Sequence, residues 1–192
     1  LLAAPMEKND AGFARNLEAM ASFVQSSGLP ARLIAPMSKG AALADKIIGP
    51  HEPYPDEEYL SQLPEALPNV EIVDIGQVEY YKTDHHWTSL GAYQAYCAYM
   101  RAVGGQPSPE DAYEKVAREG FYGTTYAQSG YFASSSDTME MWVSDWNASA
   151  FHWEKLDGYD MYQVFLGGDV GVDVLDSPSA PEGTLLLFKD SF

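Results

Sequence analysis

Two side chains that can carry out proton transfer lie close together within residues 80–88. Asp84 and His86 are separated by one residue, so in an extended segment they share one face and His85 points the other way. A carboxylate beside an imidazole fixes the tautomer of the ring and stabilises its protonated form, as a base that activates a serine requires. Ser191 lies 105 residues after His86 and is the candidate nucleophile. We therefore predict a catalytic triad of Asp84, His86 and Ser191.

An apolar run at residues 185–188 comes shortly before Ser191. Such a run predicts a short buried strand. Open α/β sheets place their chemistry beyond the carboxyl ends of the strands, which is where this strand would deliver Ser191. The backbone N–H of Ser191 or Phe192 could then stabilise an oxyanion.

Three further residues are candidates for the rest of the pocket. Gly123 and Gly168 lack side chains, so their backbone could approach a substrate closely and donate to an oxyanion. Trp87 is either a wall of an acyl pocket or a buried support for the loop.

Two alternatives compete with the catalytic interpretation of Asp84 and His86. The pair could brace a loop through a hydrogen bond without taking part in chemistry. Asp84, His85 and His86 could also bind a metal, but two adjacent histidines in an extended segment do not converge easily on one ion. We therefore expect no metal and no cofactor.

Helical and strand patterns alternate along the first half of the chain, which favours an α/β fold with a parallel sheet and helices on its faces. Apolar spacing and turn residues indicate the boundaries of these elements. Helices are predicted at residues 9–27, 41–48, 57–67 and 89–103, and strands at 31–36, 70–75, 139–143 and 161–165. A further helix, capped by Ser108 and containing Asp111 and Tyr113, is predicted within residues 107–118.

Aromatic residues crowd into residues 120–153. Aromatic ring faces pack against the apolar faces of sugars, although hydrophobic cores also use aromatic side chains. The members are Tyr122, Tyr126, Tyr131, Phe132, Trp142, Trp146 and Trp153.

The composition excludes several classes of protein. A hydrophobic content of 46% argues against disorder, and 28 acidic against 11 basic residues give a formal charge of −17. Such a surface repels nucleic acid and anionic membranes, so neither is an expected partner. Cys97 is the only cysteine, which rules out an intramolecular disulfide and a cysteine-based zinc site.

The residues around the candidate base resemble a known signature. Thr83-Asp84-His85-His86-Trp87-Thr88, followed by Gly91-Ala92-Tyr93, is similar to the motif of the DHHW protein family. That family is related to alginate O-acetyltransferase-like proteins and to SGNH (GDSL-type) hydrolases. Further matches lie at residues 121–124, 165–168 and 189–192.

The resemblance implies an α/β, SGNH-hydrolase-like three-layer sandwich with a mainly parallel sheet. Residues 1–192 would form a single domain truncated at both ends, incomplete at its C-terminus and carrying an aromatic-rich insertion around residues 120–153. Family members continue past the serine, which is the basis for expecting a fragment.

The resemblance also implies an activity. Asp84, His86 and Ser191 would support an O-acetyltransferase or acetylesterase acting on a cell-surface polysaccharide or another acetylated glycan. A membrane protein that donates acetyl groups is the second implied partner, and the implied location is extracytoplasmic, in the cell envelope or secreted. A non-catalytic carbohydrate-binding or assembly module on the same fold is the alternative.

Overall fold

The computed structural model describes residues 1–176 and 183–191. Within these residues the chain divides into two compact units. The first unit comprises Leu2–Glu79 and Leu90–Pro107, and the second comprises Leu1, Tyr80–Ser89 and the described residues from Ser108 onward. None of the described helices combines the length and the apolar character that crossing a membrane requires.

The first unit is built on helix α1 and a parallel pair of short strands. Its elements are α1 (Asp10–Ser27), β1 (Ala31–Ile34), α2 (Lys39–Ala42), α3 (Asp56–Leu60), α4 (Leu63–Ala66), β2 (Val70–Val73) and all but the first residue of α5 (Ser89–Ala102). Strands β1 and β2 pair in parallel, from Ala31 opposite Val70 to Ile34 opposite Val73. Leu17 of α1 packs with Leu63 and Leu67 to form the core of this unit.

Local signals set the ends of α1. The Asn9 side chain accepts a hydrogen bond from the Gly12 N–H, which satisfies one of the open donors of the first turn. At the other end Gly28 adopts a left-handed conformation with φ of 63°, and its N–H donates to the Val24 carbonyl. The helix predicted at residues 9–27 is therefore confirmed.

The helix predicted at residues 57–67 is instead two short helices. α3 ends at Leu60 and α4 begins at Leu63, with Pro64 in its first turn. Proline has no N–H and cannot donate to the carbonyl one turn back, so it is tolerated at the start of a new helix and not in the middle of a longer one. The helix predicted at residues 41–48 is likewise shorter, being α2 followed by a 3₁₀ turn at Ala44–Lys46.

The second unit is built on an antiparallel hairpin. Strands β3 (Glu114–Phe121) and β4 (Asp137–Val143) pair in a register that shifts between Glu119 and Phe121. Helix α6 (Thr124–Ser129) lies in the connection between them. Three 3₁₀ helices follow at Ala148–Ala150, Trp153–Asp157 and Met161–Val164.

A separate core holds this hairpin together. Phe121, Met139 and Met141 from the two strands pack with Tyr81 and Val164, and all five side chains are buried. The hairpin thereby joins the segment around Tyr81 to the 3₁₀ helix that ends at Val164.

Two predictions in this unit were wrong. A helix capped by Ser108 was expected within residues 107–118, but only Glu110–Ala112 form a 3₁₀ turn and β3 begins at Glu114. Pairing with β4 and burial of Phe121 outweigh the local helix preference of the Glu, Lys and Ala residues. The strand predicted at residues 161–165 is a 3₁₀ helix, because the Asp160 carboxylate accepts from the Tyr162 N–H and initiates a turn.

The α/β class is confirmed, whereas the mainly parallel sheet is found only in part. The described residues contain two sheets of two strands each, one parallel and one antiparallel. The strands expected around residues 31–36, 70–75 and 139–143 are all present. The organisation of residues 1–192 as a single truncated domain stays a prediction.

We expect Asp137 to be a main anchor of the second unit. Its carboxylate accepts from the Lys82 N–H at 2.9 Å and from the Thr83 N–H and hydroxyl at 2.7 and 2.5 Å. Thr83 is fully buried, so Asp137→Ala removes the acceptor of its buried N–H and hydroxyl groups. This change should lower the free energy of unfolding by about 3 kcal/mol.

Urea denaturation followed by tryptophan fluorescence measures this loss, because all four tryptophans belong to the second unit. Asp145→Ala, at an exposed aspartate after β4, is the matched control. Equal stability of the two variants would contradict the anchoring role.

Candidate active site

The segment that carries Asp84 and His86 is a loop closed at its base. Tyr80 and Trp87 form an antiparallel bridge, and the Tyr81 N–H donates to the His86 carbonyl at 3.1 Å. Between these points the backbone bends and is not extended. The expectation of an extended segment was therefore wrong, although Asp84 and His86 are brought together all the same.

Asp84 has both carboxylate oxygens engaged in hydrogen bonds. Oδ1 accepts from the backbone N–H of His86 at 2.9 Å and lies 2.5 Å from the Nδ1 of the same residue. Oδ2 accepts from the N–H of Thr124 at 2.7 Å and from its hydroxyl at 3.2 Å. The side chain is only 2% exposed, so these partners replace the water that a charged carboxylate would otherwise require.

The bonds to Asp84 also determine its ionisation. Burial by itself raises the pKa of this carboxyl, but the hydrogen bonds from His86 and Thr124 and the charge of a protonated His86 together outweigh burial. The net effect places the pKa of Asp84 well below its usual range, and the group is ionised at neutral pH.

An ionised Asp84 fixes the tautomer of His86. A carboxylate can only accept, so the Nδ1 atom 2.5 Å from it must carry a proton and donate. In the neutral ring the lone pair then lies on Nε2, which is the atom that can take a proton from another group. The His86 side chain is almost fully buried. An imidazole held in this way is able to accept a proton at Nε2.

Gly123 allows the backbone to approach Asp84 closely. A Cβ atom added to Gly123 would lie 1.9 Å from Asp84 Oδ2 and 2.2 Å from Asp84 Cβ, so no other residue fits here without movement. The Gly123 N–H donates to the Thr83 hydroxyl at 3.2 Å. An oxyanion role for Gly123 stays a prediction and would require this N–H to exchange partners.

Tyr162 lies against the imidazole of His86, a contact that sequence analysis missed. The two rings are stacked with centroids 4.0 Å apart and an angle of 10° between their planes. Burial, followed by the charges of Asp84 and Asp190, raises the pKa of the Tyr162 phenol, which therefore stays neutral at ordinary pH. The sequence pattern predicts a strand at Tyr162, and no local pattern indicates a contact with a residue so distant in sequence.

His85 lies on the same side as His86, not on the opposite face as expected. The two rings have centroids 3.8 Å apart, and His85 Nδ1 lies 3.4 Å from Asp84 Oδ1 and 2.7 Å from the Thr124 hydroxyl. The bends in the loop remove the alternation on which the expectation rested.

The same bends bring three groups that bind metals close together. Ligand atoms of Asp84, His85 and His86 all lie within 4.8 Å of one another. Two ligands of a tetrahedral zinc ion are about 3.3 Å apart, whereas Asp84 Oδ1 and His86 Nδ1 are at 2.5 Å. That pair of atoms is spaced for a shared proton, so an ion could not bind both Asp84 Oδ1 and His86 Nδ1 unless they separated.

The segment that precedes Ser191 differs from the prediction. Residues 185–188 form no strand, and their side chains are 62–71% exposed. Apolar composition predicted burial but could not supply a partner strand, and neither described sheet pairs with this run. Ser191 is exposed, and Phe192 lies outside the described residues.

An electrostatic interaction reaches from the end of the chain to Tyr162. The charge of Asp190, the residue before Ser191, contributes to the raised pKa of Tyr162. Tyr162 in turn stacks on His86. The triad of Asp84, His86 and Ser191 stays a prediction, with its first two members in hydrogen-bonding contact.

The remaining candidates have structural neighbours of their own. Trp87 is half-buried at the base of the loop, opposite Tyr80. Gly168 has φ of 95°, and its N–H donates to the Phe165 carbonyl at 3.5 Å. The pocket role of Trp87 and the oxyanion role of Gly168 stay predictions.

Comparison with known families agrees with this geometry. Residues 73–145, which contain the loop, Gly123, Thr124 and both strands of the hairpin, match the family model described as DHHW protein. The resemblance to the DHHW family is confirmed. A search of curated proteins finds no match.

Solved structures share the fold of the DHHW segment and its surroundings. A DHHW family protein from Eubacterium siraeum is 21% identical, with a TM-score of 0.58 over 87% of this chain and 64% of that chain. Bacillus cereus PatB1 with a sulfonyl adduct is 19% identical, with a TM-score of 0.58 over 74% and 54%. The O-acetyltransferase domain of Pseudomonas putida AlgJ is 20% identical, with a TM-score of 0.51 over 71% and 59%.

The chain spans less than two thirds of the length of each of these three proteins. At sequence identities of 19–21%, the similarity to these structures shows a shared fold and nothing further.

We expect Gly123→Ala to displace Asp84. The new methyl group overlaps the carboxylate, and relief of the overlap should cost about 1–3 kcal/mol of unfolding free energy. The NMR signals of the His86 ring should also move, because its partner Asp84 moves. Gly171→Ala is the control, since an added Cβ there meets nothing within 4 Å. Unchanged His86 signals in Gly123→Ala would contradict the close packing.

We expect the ring of Tyr162 to hold His86 in place. Tyr162→Leu removes the stacked ring, so the His86 ring protons should lose their ring-current shift and move downfield. Tyr162→Phe keeps the ring and should leave them close to the wild-type position. Equal shifts in the two variants would show that the stack does not form in solution.

Proposed function

We propose that this protein is a serine-dependent acyltransferase or esterase with Asp84, His86 and Ser191 as its catalytic residues. His86 Nε2 removes the proton of the Ser191 hydroxyl as Oγ attacks the carbonyl of an acetyl ester. The leaving alcohol receives that proton, and acetyl-Ser191 forms. A sugar hydroxyl or water then attacks acetyl-Ser191, with His86 again acting first as base and then as acid.

The buried Asp84–His86 pair carries this proposal. Asp84 is ionised, places the Nδ1 proton and stabilises the positive charge that His86 acquires when Ser191 attacks. A pair that only braces a loop has no need of an Nε2 lone pair that can accept a proton, and here Asp84 and the stacked ring of Tyr162 hold the imidazole with its lone pair on that atom.

The proposed partners rest on the resemblance to the DHHW family, which implies an acetylated glycan as substrate. The O-acetyltransferase domain of AlgJ from Pseudomonas putida has a similar fold, which supports the acetyl-transfer part of this proposal. A membrane protein that donates acetyl groups would supply the ester, and the reaction would take place outside the cytoplasm.

Labelling with an activated acetyl ester such as 4-nitrophenyl acetate tests the mechanism. We expect a burst of nitrophenol equal to the amount of protein if deacylation is the slower step. Mass spectrometry of the trapped protein should find one acetyl group on Ser191. Reproducible acetylation of a residue other than Ser191, together with full activity of Ser191→Ala, would contradict the serine mechanism.

Variants of the two adjacent histidines separate their roles. His86→Ala should lower the rate by about 10²–10⁴, the usual contribution of a general base. His85→Ala should lower it by less than about tenfold, because Asp84 keeps its bonds to His86 and Thr124. The tryptophan signal of the second unit checks the folding of both variants. The reverse pattern would assign the base to His85.

The rate of deacylation separates transferase from esterase. A glycan acceptor accelerates the loss of the acetyl group from Ser191 in a transferase, and it leaves that rate unchanged in an esterase.

A further inference from the structure

The segment between β3 and β4 has a composition unlike that of the rest of the chain. Residues 120–136 contain no Asp, Glu, Lys, Arg or His, although charged residues make up 20% of the protein. Aromatic, hydroxyl and amide side chains take their place. Such side chains recognise uncharged polar molecules, since ring faces cover apolar surface and hydroxyl groups exchange hydrogen bonds.

Three aromatic rings of this segment form a continuous surface. The rings of Tyr122 and Tyr126 have centroids 4.4 Å apart and are tilted by 36°, and those of Tyr126 and Phe132 have centroids 5.4 Å apart and meet edge to face at 72°. Tyr122 is 46% exposed and Phe132 is 68% exposed, with the half-buried Tyr126 between them. We call these three residues the aromatic platform. Exposed rings in contact with one another indicate a binding surface.

The aromatic platform is attached directly to the candidate active site. Tyr122 immediately precedes Gly123 and Thr124, and the Thr124 N–H donates to the Asp84 carboxylate. The Tyr126 N–H donates to the Thr83 carbonyl at 2.8 Å, next to Asp84 in sequence. A molecule lying on these rings is therefore adjacent to the loop that carries His86.

The charge of the protein restricts what this molecule can be. A formal charge of −17 repels a polyanion, and residues 120–136 offer no cation to bind one. Lys82, which is exposed nearby, donates through Nζ to the Ser135 hydroxyl and the Ser136 carbonyl and so supports the loop. Uronate or phosphate groups would ordinarily be bound by arginine or lysine.

We propose that the aromatic platform binds the pyranose rings of an uncharged glycan, which is the acetyl acceptor or the acetylated substrate of the neighbouring site. Successive pyranose rings of the glycan pack their apolar faces on Tyr122 and on Phe132 in turn, and their hydroxyl groups face the serine and threonine side chains of residues 120–136. The role as substrate rests on the proposed function, whereas binding itself does not depend on catalysis.

Calorimetric titration of the whole chain, with no acetyl donor present, tests the binding. The probes are three neutral hexasaccharides of β-1,4-linked glucose, mannose and N-acetylglucosamine, together with the glucose hexamer oxidised to the uronate at every C6. We expect at least one neutral hexamer to bind and the uronate to bind at least tenfold more weakly. Failure of all three neutral hexamers to bind at millimolar concentration would overturn the proposal.

Variants then locate the binding surface. Tyr122→Ala and Phe132→Ala should each weaken binding of the neutral hexamer roughly tenfold, and Tyr122→Phe should retain it because the ring remains. Tyr159→Ala is the matched control, since Tyr159 is 98% exposed in the same unit and lies outside the platform. Equal losses in Tyr159→Ala and Tyr122→Ala would overturn the assignment.

The salt dependence of binding distinguishes a neutral from an anionic ligand, and acetylation of Ser191 distinguishes binding from catalysis. Binding of an uncharged glycan should not change between 50 and 500 mM salt, whereas tight, salt-sensitive binding of the uronate would assign the surface to an anion instead. If the glycan binds but Ser191 is never acetylated, the platform stands and the proposed chemistry fails. If Ser191 is acetylated and no glycan binds, the proposed chemistry stands and the aromatic platform is not a glycan-binding surface.

Discussion

The charge of Asp84 is the constraint on which the rest of the site depends. A carboxylate that is 2% exposed is stable only if the protein supplies the hydrogen bonds that water would have made. His86 and Thr124 supply them from two segments that are far apart in sequence. The loop, the start of α6 and the imidazole are consequently fixed relative to one another by one side chain.

Apolar and aromatic packing supports this polar centre. Tyr81 packs on Phe121 of β3 at a ring distance of 5.1 Å, and Tyr162 contacts both Tyr81 and His86. Burial, with nearby charges adding to it, raises the pKa of both tyrosines, so neither contributes a charge beside Asp84. The neutral rings lower the local dielectric constant, and each hydrogen bond to Asp84 becomes stronger and more costly to leave unmade.

Sequence patterns predicted the parts of the molecule that depend on neighbours along the chain. The boundaries of α1, the positions of the separate strands β1 and β2, and the Asp84–His86 pair all follow from residues within a few positions of one another. The stack of Tyr162 on His86 depends on tertiary packing, and so does the choice of strand over helix at β3. Residues 185–188 show the same limit, because their apolar character did not reveal whether a strand would pair with them.

The anchoring of α6 has a consequence for local stability. A six-residue helix is too short to be stable alone in water, and this one has no capping side chain at its N-terminus. Its Thr124 and Tyr126 amides are instead bonded to Asp84 and to the carbonyl of Thr83. Amide hydrogen exchange at these two positions therefore reports the separation of α6 from the loop, and not only the fraying of a short helix.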